Sequence, residues 1–427
     1  MIKNEILMPQ DRPKLGHWIP LSFQHVFAMF GATILVPILT GLSPAVALFT
    51  AGTGTLIFIL CTGAKVPAFL GSSFTFIAPL IAISASHGVN YALGGAMAAG
   101  IFYCLVAFII RFTGTAWLDK ALPPVVIGSV IIVIGLYLAP VAMKMAMYDG
   151  NESYSLVYFS IAAVTLLVTV VSNIFLKGFF SAIPILIGLV AGYLFTMIMG
   201  FFFPAFAIID FEVVRNASWL GLPTFRVPAF SLMPVLIFII VSLATICEHL
   251  GDMVVTSKIV GQDFYKNPGL HRTLTGDGLA SAWAALWGGP PNTTYSENVG
   301  VMAITRVYSV WVIGGAAVIA VLLSFFTKFG AIIQTIPQPV LGGISILLFG
   351  IIASSGLRTI VEKGVDYKDK RNLIITSVIL VIGIGGGTLD FNIAKDLPFK
   401  LEGIALATVV GIILNLFIPE SKEKKAK

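Results

Sequence analysis

The sequence predicts an all-α polytopic membrane protein with fourteen spans, arranged as two inverted repeats of seven, and with short extended segments in spans three and ten. Three observations predict this fold: the composition, the distribution of basic residues and internal repetition. Of the 427 residues, 57% are hydrophobic and 11% are charged, whereas soluble domains carry about 25% charged residues. Several apolar stretches approach the ~20 residues that a helix needs to cross the hydrocarbon of a bilayer.

Fourteen candidate spans follow one another along the chain. The first half contains spans near residues 18–38, 45–62, 66–83, 91–110, 122–140, 154–175 and 180–203. The second half contains spans near residues 230–256, 273–288, 293–305, 309–327, 336–355, 372–388 and 402–419. The predicted organisation is a cytoplasmic segment at 1–17, the first repeat at 18–203, an external connector at 204–229, the second repeat at 230–419 and a cytoplasmic tail at 420–427.

The basic residues support this count of spans. With the N-terminus inside, both ends are cytoplasmic, and 20 of the 26 lysines and arginines lie in cytoplasmic segments. The external segments retain Lys144, Arg215, Arg226, Lys328, Lys395 and Lys400. Such an excess is the positive-inside signature, and one span more or fewer would invert every later loop. It also explains the net charge of +6 without a nucleic-acid partner.

Segments seven spans apart repeat each other. LPPVVIGSVIIVIG at residues 122–135 resembles IPQPVLGGISILLF at residues 336–349. FQHVFA in span one has a weaker echo in CEHLGD in span eight, and VPAFLGSSFTF in span three has one in PPNTTYSEN in span ten. Because seven is odd, the second copy enters the bilayer in the opposite sense, as in carriers built from inverted repeats.

Spans three and ten begin with prolines and continue with small polar residues. These are Gly71, Ser72, Ser73 and Thr75 in span three, and Asn292, Thr293, Thr294, Tyr295, Ser296, Glu297 and Asn298 in span ten. Backbone groups freed from a helix in a membrane need partners in protein or in a water-filled cavity. We therefore expect a short extended segment in each span, followed by a half-helix whose first N–H groups point at a ligand. For span three alone, a Ser/Thr-lined helix contact is the alternative.

Acidic side chains lie inside two predicted spans. A charge at the centre of a membrane helix costs about 2.5 to 3.5 kcal/mol, so Glu248 and Glu297 are predicted to face a cavity on a transport pathway. Asp252 lies one turn after Glu248 on the same helix face, and it is either functional or solvated at the cytoplasmic interface. His249 is rotated about 100° away, so it meets a different neighbour. For His25 and His249, a structural hydrogen bond and a transport role both stay open.

The sequence gives little support for a metal site, a disulfide or enzymatic activity. The three cysteines, Cys61, Cys104 and Cys247, have no Cys-x-x-Cys spacing, so we expect neither a metal site nor a disulfide. No H-E-x-x-H or G-x-S-x-G motif is present, and we expect no enzymatic activity and no cofactor. Asp277, near the start of span nine, is predicted to be an interfacial helix residue.

Four segments resemble the nucleobase/ascorbate transporter family, and most of all its bacterial uracil carriers. They are FQHVFAMFGAT at 23–33, GSSFTF at 71–76, EHLG at 248–251 and NTTYSENVGVMAITRVYS at 292–309. The resemblance extends from about Pro20 to Ile418, and E-N-x-G-x-x-x-x-T-R at 297–306 fits the family signature. It implies a core of spans one to four and eight to eleven that moves against a gate of spans five to seven and twelve to fourteen.

The resemblance also implies roles for individual residues. Uracil would be bound by Glu248, Glu297, Phe74, Tyr295 and Ser296. Proton coupling would fall to Glu297, Glu248, Asp252 and His249. The site would be supported by Gln24, His25, Ser73, Asn298 and Thr294. Glu297 itself favours uracil, because carriers of xanthine and urate typically place glutamine there.

The implied function is uracil import by proton symport across the bacterial plasma membrane, in which uracil, a proton and the lipid bilayer are the partners. Sodium coupling, a purine permease of the same family and an anion carrier of the related sulfate-transporter fold are the alternatives, and a homodimer stays open. Three positions depart from the uracil carriers. Asp252 replaces a histidine, Ser296 stands where glycine is common, and Phe349 replaces an aromatic that is often tyrosine.

Overall fold

A computed structural model describes residues 6–177, 180, 183–392 and 398–419. The predicted tail at 420–427, residues 1–5 of the N-terminal segment and Lys395 lie outside the described residues. The first half contains helices α1 (Leu15–Thr40), α2 (Pro44–Cys61), α3 (Ile77–Ser86), α4 (Val89–Thr113), α5 (Ala116–Ala121), α6 (Pro124–Tyr137), α7 (Ala139–Met147), α8 (Leu156–Phe175) and α9 (Pro184–Phe202). The second half contains α10 (Glu212–Asn216), α11 (Leu232–Val260), α12 (Leu270–Leu286), α13 (Ser296–Thr305), α14 (Val310–Ser324), α15 (Thr327–Gln334), α16 (Gln338–Glu362), α17 (Lys370–Ile384) and α18 (Gly403–Phe417).

Each of the fourteen predicted spans contains a helix. Eight helices in the described residues are long and apolar enough to cross a membrane, and a ninth span arises if α14 and α15, which meet at 85°, count as one. The half-helices of the predicted spans three and ten are shorter, since an extended segment occupies part of each span. The chain is thus a helical, multi-pass membrane protein, while the full count of fourteen crossings stays a prediction.

Two short strands cross in the middle of the fold. Strand β1 (Leu70–Ser72) and strand β2 (Asn292–Thr294) pair antiparallel, with Gly71 opposite Thr293. Two further backbone bonds lengthen the pairing, from Ser73 N to Pro291 O at 2.8 Å and from Tyr295 N to Phe69 O at 3.0 Å. The prediction of extended segments at these two positions is confirmed. Pairing satisfies backbone groups that a broken helix would leave without partners.

The helices pack in two groups. The first helix group consists of α1–α4 and α11–α14, in which α12 packs on α2 and α4, and α14 packs on α1 and α2. The second helix group consists of α6–α9 and α16–α18, in which α16 packs on α6, α7 and α8, and α17 packs on α6 and α18. Contacts of α11 with α6 and α18, and of α1 with α9, join the groups. Gly31 and Gly251 permit this close approach, because a Cβ atom there would lie 2.5 Å from Ile185 and 2.8 Å from Ile131.

The described part of the N-terminal segment runs along the first helix group. Its backbone bonds to the α13–α14 junction, from Leu7 N to Arg306 O at 3.2 Å and from Tyr308 N to Leu7 O at 2.7 Å. The Arg12 guanidinium lies 5.3 Å from the Trp18 ring centre and 5.1 Å from that of Trp311. The segment therefore ties the end of the half-helix α13 to α1 and α14.

Two features were not predicted. A hairpin of β3 (Thr388–Asn392) and β4 (Pro398–Glu402) stands where the sequence suggested only a loop between spans thirteen and fourteen, so the fold is not purely helical. The connector at 204–229 contains the short helix α10, which packs on α15. Short polar and apolar stretches outside the spans carry too weak a periodic signal to predict either feature.

Candidate functional site

The crossing strands bring two helix N-termini to the centre of the molecule. A 3-10 turn at Phe74–Phe76 and then α3 follow β1, while α13 follows β2 directly. Helix α11 passes beside both N-termini. A cavity of about 20 Å³ lies between them, and it is lined by Phe74, Ile131, Glu248, Asp252, Thr293, Thr294, Tyr295, Ser296, Glu297, Ile352 and Ser355. Such a volume is about what one water molecule needs, so the two helix groups must separate to admit a larger ligand.

Glu248 and Glu297 both line this cavity, and both side chains are partly buried. Glu248 comes from α11, whereas Glu297 is the second residue of α13 and belongs to its first turn. The Thr75 hydroxyl donates to Glu248 Oε2 over 3.2 Å. A carboxylate in the first turn of a helix is favoured by the helix dipole. Two hydrogen-bond acceptors thus face one small cavity at the start of α13.

Asp252 is bonded to the last residue of β2 and to the first residue of α13. Its Oδ2 accepts from the Thr294 hydroxyl at 2.8 Å, and its Oδ1 accepts from the Ser296 hydroxyl at 2.7 Å. Asp252 is 4% exposed, so the alternative of a residue solvated at the cytoplasmic interface is wrong. Both oxygens act on the start of α13, and the carboxylate fixes where that helix begins.

His249 faces the opposite side of α11, where it meets α12. Its Nδ1 lies 3.1 Å from Asp277 Oδ2, and its Nε2 lies 3.0 Å from the Thr273 hydroxyl. The prediction that His249 meets a different neighbour from Glu248 is confirmed. Asp277 is 0% exposed, so its prediction as an interfacial residue is wrong. The prediction placed Asp277 close to the start of span nine at residue 273. In the structure α12 begins earlier, at Leu270, so Asp277 lies two turns into the helix and is buried.

Tyr295 occupies the bend between β2 and α13. Its hydroxyl donates to Ser72 O at 3.1 Å and accepts from the Thr33 hydroxyl at 3.2 Å, so the phenol is bound to β1 and α1. A Cβ atom at Gly71 would overlap this ring. Glycine at position 71 is what lets Tyr295 lie across β1 and close the strand crossing.

The predicted supporting residues surround this arrangement. Asn298 Nδ2 lies 3.1 Å from both His25 Nδ1 and His25 O, which joins α13 to α1. Gln24 is buried beside His25 on α1. Ser73 is also buried, and its hydroxyl has no hydrogen-bond partner among the described residues. Thus α13 has side-chain links to α1 and α11, while Ser73 contributes its backbone N–H.

The second helix group closes the other side of the cavity. Ile131 on α6 and Ile352 and Ser355 on α16 line it, and Phe349 on α16 meets Phe74 edge to face with ring centres 5.6 Å apart. None of the three lining residues was predicted as part of the site. They are apolar or small residues within uniformly apolar helices, and only the packing of the two groups reveals them. Thr75 was part of the predicted polar cluster, but its bond to Glu248 was not foreseen.

Comparisons with known proteins agree with this architecture. A solved structure of SLC26A9 superposes with a TM-score of 0.66 at 10% identity, covering 95% of this chain and 66% of that one. The transmembrane domain of a cyanobacterium bicarbonate transporter, BicA, gives a TM-score of 0.63 at 17% identity, with 96% and 100% covered. At such identities the likeness shows the fold alone.

Sequence relatives are much more similar. The chain is 52% identical to a uracil permease of Bacillus subtilis (strain 168), over 98% of this chain and 96% of that protein. It is 46% identical to a uracil permease of Escherichia coli (strain K12), over 95% and 92%. A family model described as "Permease family", Xan_ur_permease, matches residues 16–390. The chain therefore belongs to this permease family, the nucleobase/ascorbate transporters that its motifs resemble.

Proposed function

We propose that this protein is a secondary transporter that imports uracil by proton symport. The observation that carries the proposal is the pair of carboxylates, Glu248 and Glu297, that face one cavity at the N-termini of two half-helices. Relatives named uracil permease, at 46 to 52% identity over nearly the whole chain, support the choice of ligand.

The chemistry of uracil suits such a site. The ring presents two N–H donors and two carbonyl acceptors. We assign the N–H groups to Glu248 and Glu297, and the carbonyl oxygens to backbone N–H groups at the starts of the 3-10 turn (Phe74–Phe76) and of α13. A polar group left unmatched in a desolvated site costs about 1 to 3 kcal/mol, which discriminates against bases with another donor pattern.

The remaining predicted residues receive roles from their contacts. Phe74 packs between the cavity and Phe349, and would stack on or flank the ring. Tyr295 and Ser296 contribute the backbone at the start of α13. Thr294, Asn298, His25, Gln24 and Ser73 position the two strand–helix units around the ligand.

We further propose that all fourteen helical segments cross the bacterial inner membrane as two inverted repeats, at 18–203 and 230–419, with 204–229 outside and both termini in the cytoplasm. The antiparallel pairing of β1 with β2, each followed by a half-helix, supports the inversion. The excess of basic residues in the predicted cytoplasmic segments supports the orientation. Monomeric and homodimeric forms both fit this arrangement.

Three cavities along the boundary between α6 and α11 support alternating access. The central one contains Glu248 and Ile131. A cavity of about 650 Å³ lies on the side of Lys258 and Pro124, and one of about 230 Å³ lies on the opposite side, beside Val241 and Tyr137. We assign the first helix group as the core and the second as the gate. Movement of one against the other would open the central cavity to each side in turn.

For the proton, we favour Glu297 and Glu248 over the two other predicted groups. Both line the cavity and can exchange a proton as uracil arrives or leaves. Asp252 is occupied by two hydroxyl donors, and His249 lies behind α11 with Asp277. Asp252 and His249 would act on coupling through position and charge. The membrane potential adds about 2.3 kcal/mol per charge per 100 mV, which drives the loaded carrier inward.

The carboxylates also favour uracil transport over the two alternative functions, transport of anions and transport of xanthine or urate. An anion carrier of the fold shared with SLC26A9 would need a neutral or basic cavity, whereas Glu248, Asp252 and Glu297 all line this one. A carrier of xanthine or urate would typically have glutamine in place of Glu297. Both alternatives are outcomes of the experiment below.

The test is uptake of labelled uracil into proteoliposomes, with interior pH fixed and exterior pH and sodium varied. We expect uptake driven by an acid exterior, independent of sodium, and reduced at least a hundredfold in Glu297→Ala. Glu297→Gln retains size and polarity, so it separates loss of charge from loss of volume.

Absence of uracil uptake under every gradient would refute the substrate, and xanthine, urate and anions would be tested next in that order. Uracil uptake that depends on the sodium gradient and not on exterior pH would refute proton coupling, but would leave uracil as the substrate.

A further inference from the structure

An apolar cavity lies at the end of α11 that precedes Glu248. It has a volume of about 230 Å³ and is lined by α3, by the first half of α11, by Tyr137 at the end of α6, and by the β4–α18 junction. Val241 precedes Glu248 by seven residues, which places this cavity about 10 Å along the helix from the central site. The proposed function does not use this cavity as a binding site.

Its walls and its rim differ in chemistry. The walls are apolar side chains on facing elements, including Pro79 and Ile83 on α3, Ile237 and Val241 on α11, and Ile404 on α18. His87, directly after α3, and Lys400 and Glu402, both on β4, stand exposed around the rim. Charged side chains at this rim indicate a mouth that opens to water and not to lipid, since charges at hydrocarbon depth are costly.

One side chain connects this cavity to the central site. Thr75 lines the cavity, and its hydroxyl donates to Glu248 Oε2 at 3.2 Å. Thr75 therefore touches both the apolar cavity and the carboxylate that we assign to uracil. Uracil has two ring carbons, C5 and C6, that carry no polar group. A substituent on this apolar edge can project away from the carboxylates without removing a hydrogen bond.

We propose that this cavity is a subsite for apolar substituents at C5 or C6 of a uracil ring held in the central site. Its ligand class is uncharged pyrimidines with a short alkyl or benzyl group on the apolar edge. The proposal rests on the proposed function, because it requires the ring to bind at Glu248. Such compounds would block transport, because the substituent joins α3 and α11 of the core to α6 and α18 of the gate.

The experiment measures inhibition of labelled uracil uptake by a series from 5-methyluracil to 5-butyluracil and by 5-benzyluracil. Each buried CH₂ group is expected to improve inhibition about three- to fourfold. In Ala82→Phe, a ring placed in the cavity from α3 should abolish this gain. Ala85→Phe, one turn later on the same exposed side of α3 but outside the cavity lining, is the matched control and should retain it. Ile237→Phe fills the cavity from α11 and serves as a second variant if Ala82→Phe misfolds.

Inhibition that does not strengthen with chain length in the wild type would overturn the subsite. A gain that survives both filling variants would also overturn it, because it would reflect partition of the alkyl chain into the bilayer. Unlabelled uracil is measured in every variant. If uracil competes normally in the wild type while the alkyl series gains nothing with chain length, the proposed function stands without the subsite; if wild-type protein takes up no uracil, the proposed function itself has failed.

Discussion

The two strand–helix units that cross at the centre occupy corresponding positions but are stabilised differently. In the unit of β1 and α3, the half-helix is held by apolar packing: Ile77, Leu80 and Ile83 are buried, and Phe76 stacks on Phe238 with ring centres 5.6 Å apart. The unit of β2 and α13 contains Glu297 and is held by polar links from Asp252, and from Asn298 to His25. A helix with a carboxylate in a site of low polarity needs directional partners to fix its start, whereas a neutral one can rely on shape.

This difference predicts which substitutions should change uracil affinity and which should be tolerated. Changes to the polar links of α13 move an acceptor relative to the ligand, so they should affect affinity. Removing a hydroxyl beside β1 that has no hydrogen-bond partner should have little effect on affinity. The exception beside β1 is Gly71, where the two units are in close contact.

Gly71→Ala should have the largest effect, because its Cβ atom would overlap the Tyr295 ring that crosses β1. Overpacking costs about 1 to 3 kcal/mol, and we expect a loss near the upper end, or about a hundredfold in uracil uptake. Gly300→Ala on α13 is the control, since no atom lies within 4 Å of its added Cβ. Normal uptake by Gly71→Ala would show that the crossing is not tightly packed.

Asp252→Ala should weaken uracil binding about 10- to 100-fold, because the Thr294 and Ser296 hydroxyls lose their acceptor; this is about 1.4 to 2.8 kcal/mol, within the range for one unsatisfied buried group. Asp252→Asn should be milder, since one acceptor oxygen stays. Equilibrium binding to purified protein measures both variants. The double variant with Ser296→Ala should lose less than the sum of the single losses. Strictly additive losses would refute the assignment of Asp252 as the residue that fixes the start of α13.

Asn298→Ala should reduce affinity about three- to tenfold, because the amide that bonds to His25 is lost; this is about 0.7 to 1.4 kcal/mol, the net range for one hydrogen bond. Ser73→Ala is the matched change beside β1, where the hydroxyl has no partner among the described residues. We expect Ser73→Ala to leave thermal stability equal or slightly higher. A large loss of uracil binding in Ser73→Ala with unchanged stability would instead show that this hydroxyl contacts the ligand.

Arg12→Ala should have the smallest effect. It removes two cation–π contacts with Trp18 and Trp311, each worth about 0.5 to 1 kcal/mol at an exposed site. We expect a small decrease in melting temperature and uptake within about twofold of the wild type. Lys14→Ala removes the same charge at a nearby position, so an equal decrease in both variants would attribute the effect to charge and not to the rings.

The sequence predicted much of the fold and the position of the site. The length of the apolar stretches predicted where the helices lie, because a helix must be long and apolar to cross a bilayer. Prolines followed by Ser, Thr and Asn predicted the extended segments, because such residues do not continue an apolar helix. The cost of a charge inside a membrane span singled out Glu248 and Glu297 as candidate site residues, and the family resemblance implied that they bind uracil. The hairpin at 388–402 and the small helix in the connector were missed, since neither has a strong periodic pattern.

The sequence alone predicts a multi-pass membrane protein with two interrupted helices, and with carboxylates that are too costly to lie in the membrane without a role. The partners of those groups follow from the way the helices pack. It turned Asp252 toward Thr294 and Ser296, buried Asp277 against His249, and placed Thr75 between Glu248 and an apolar cavity. The physical reason is that helical periodicity specifies a face, whereas the neighbour on that face depends on which helix packs there and at what depth.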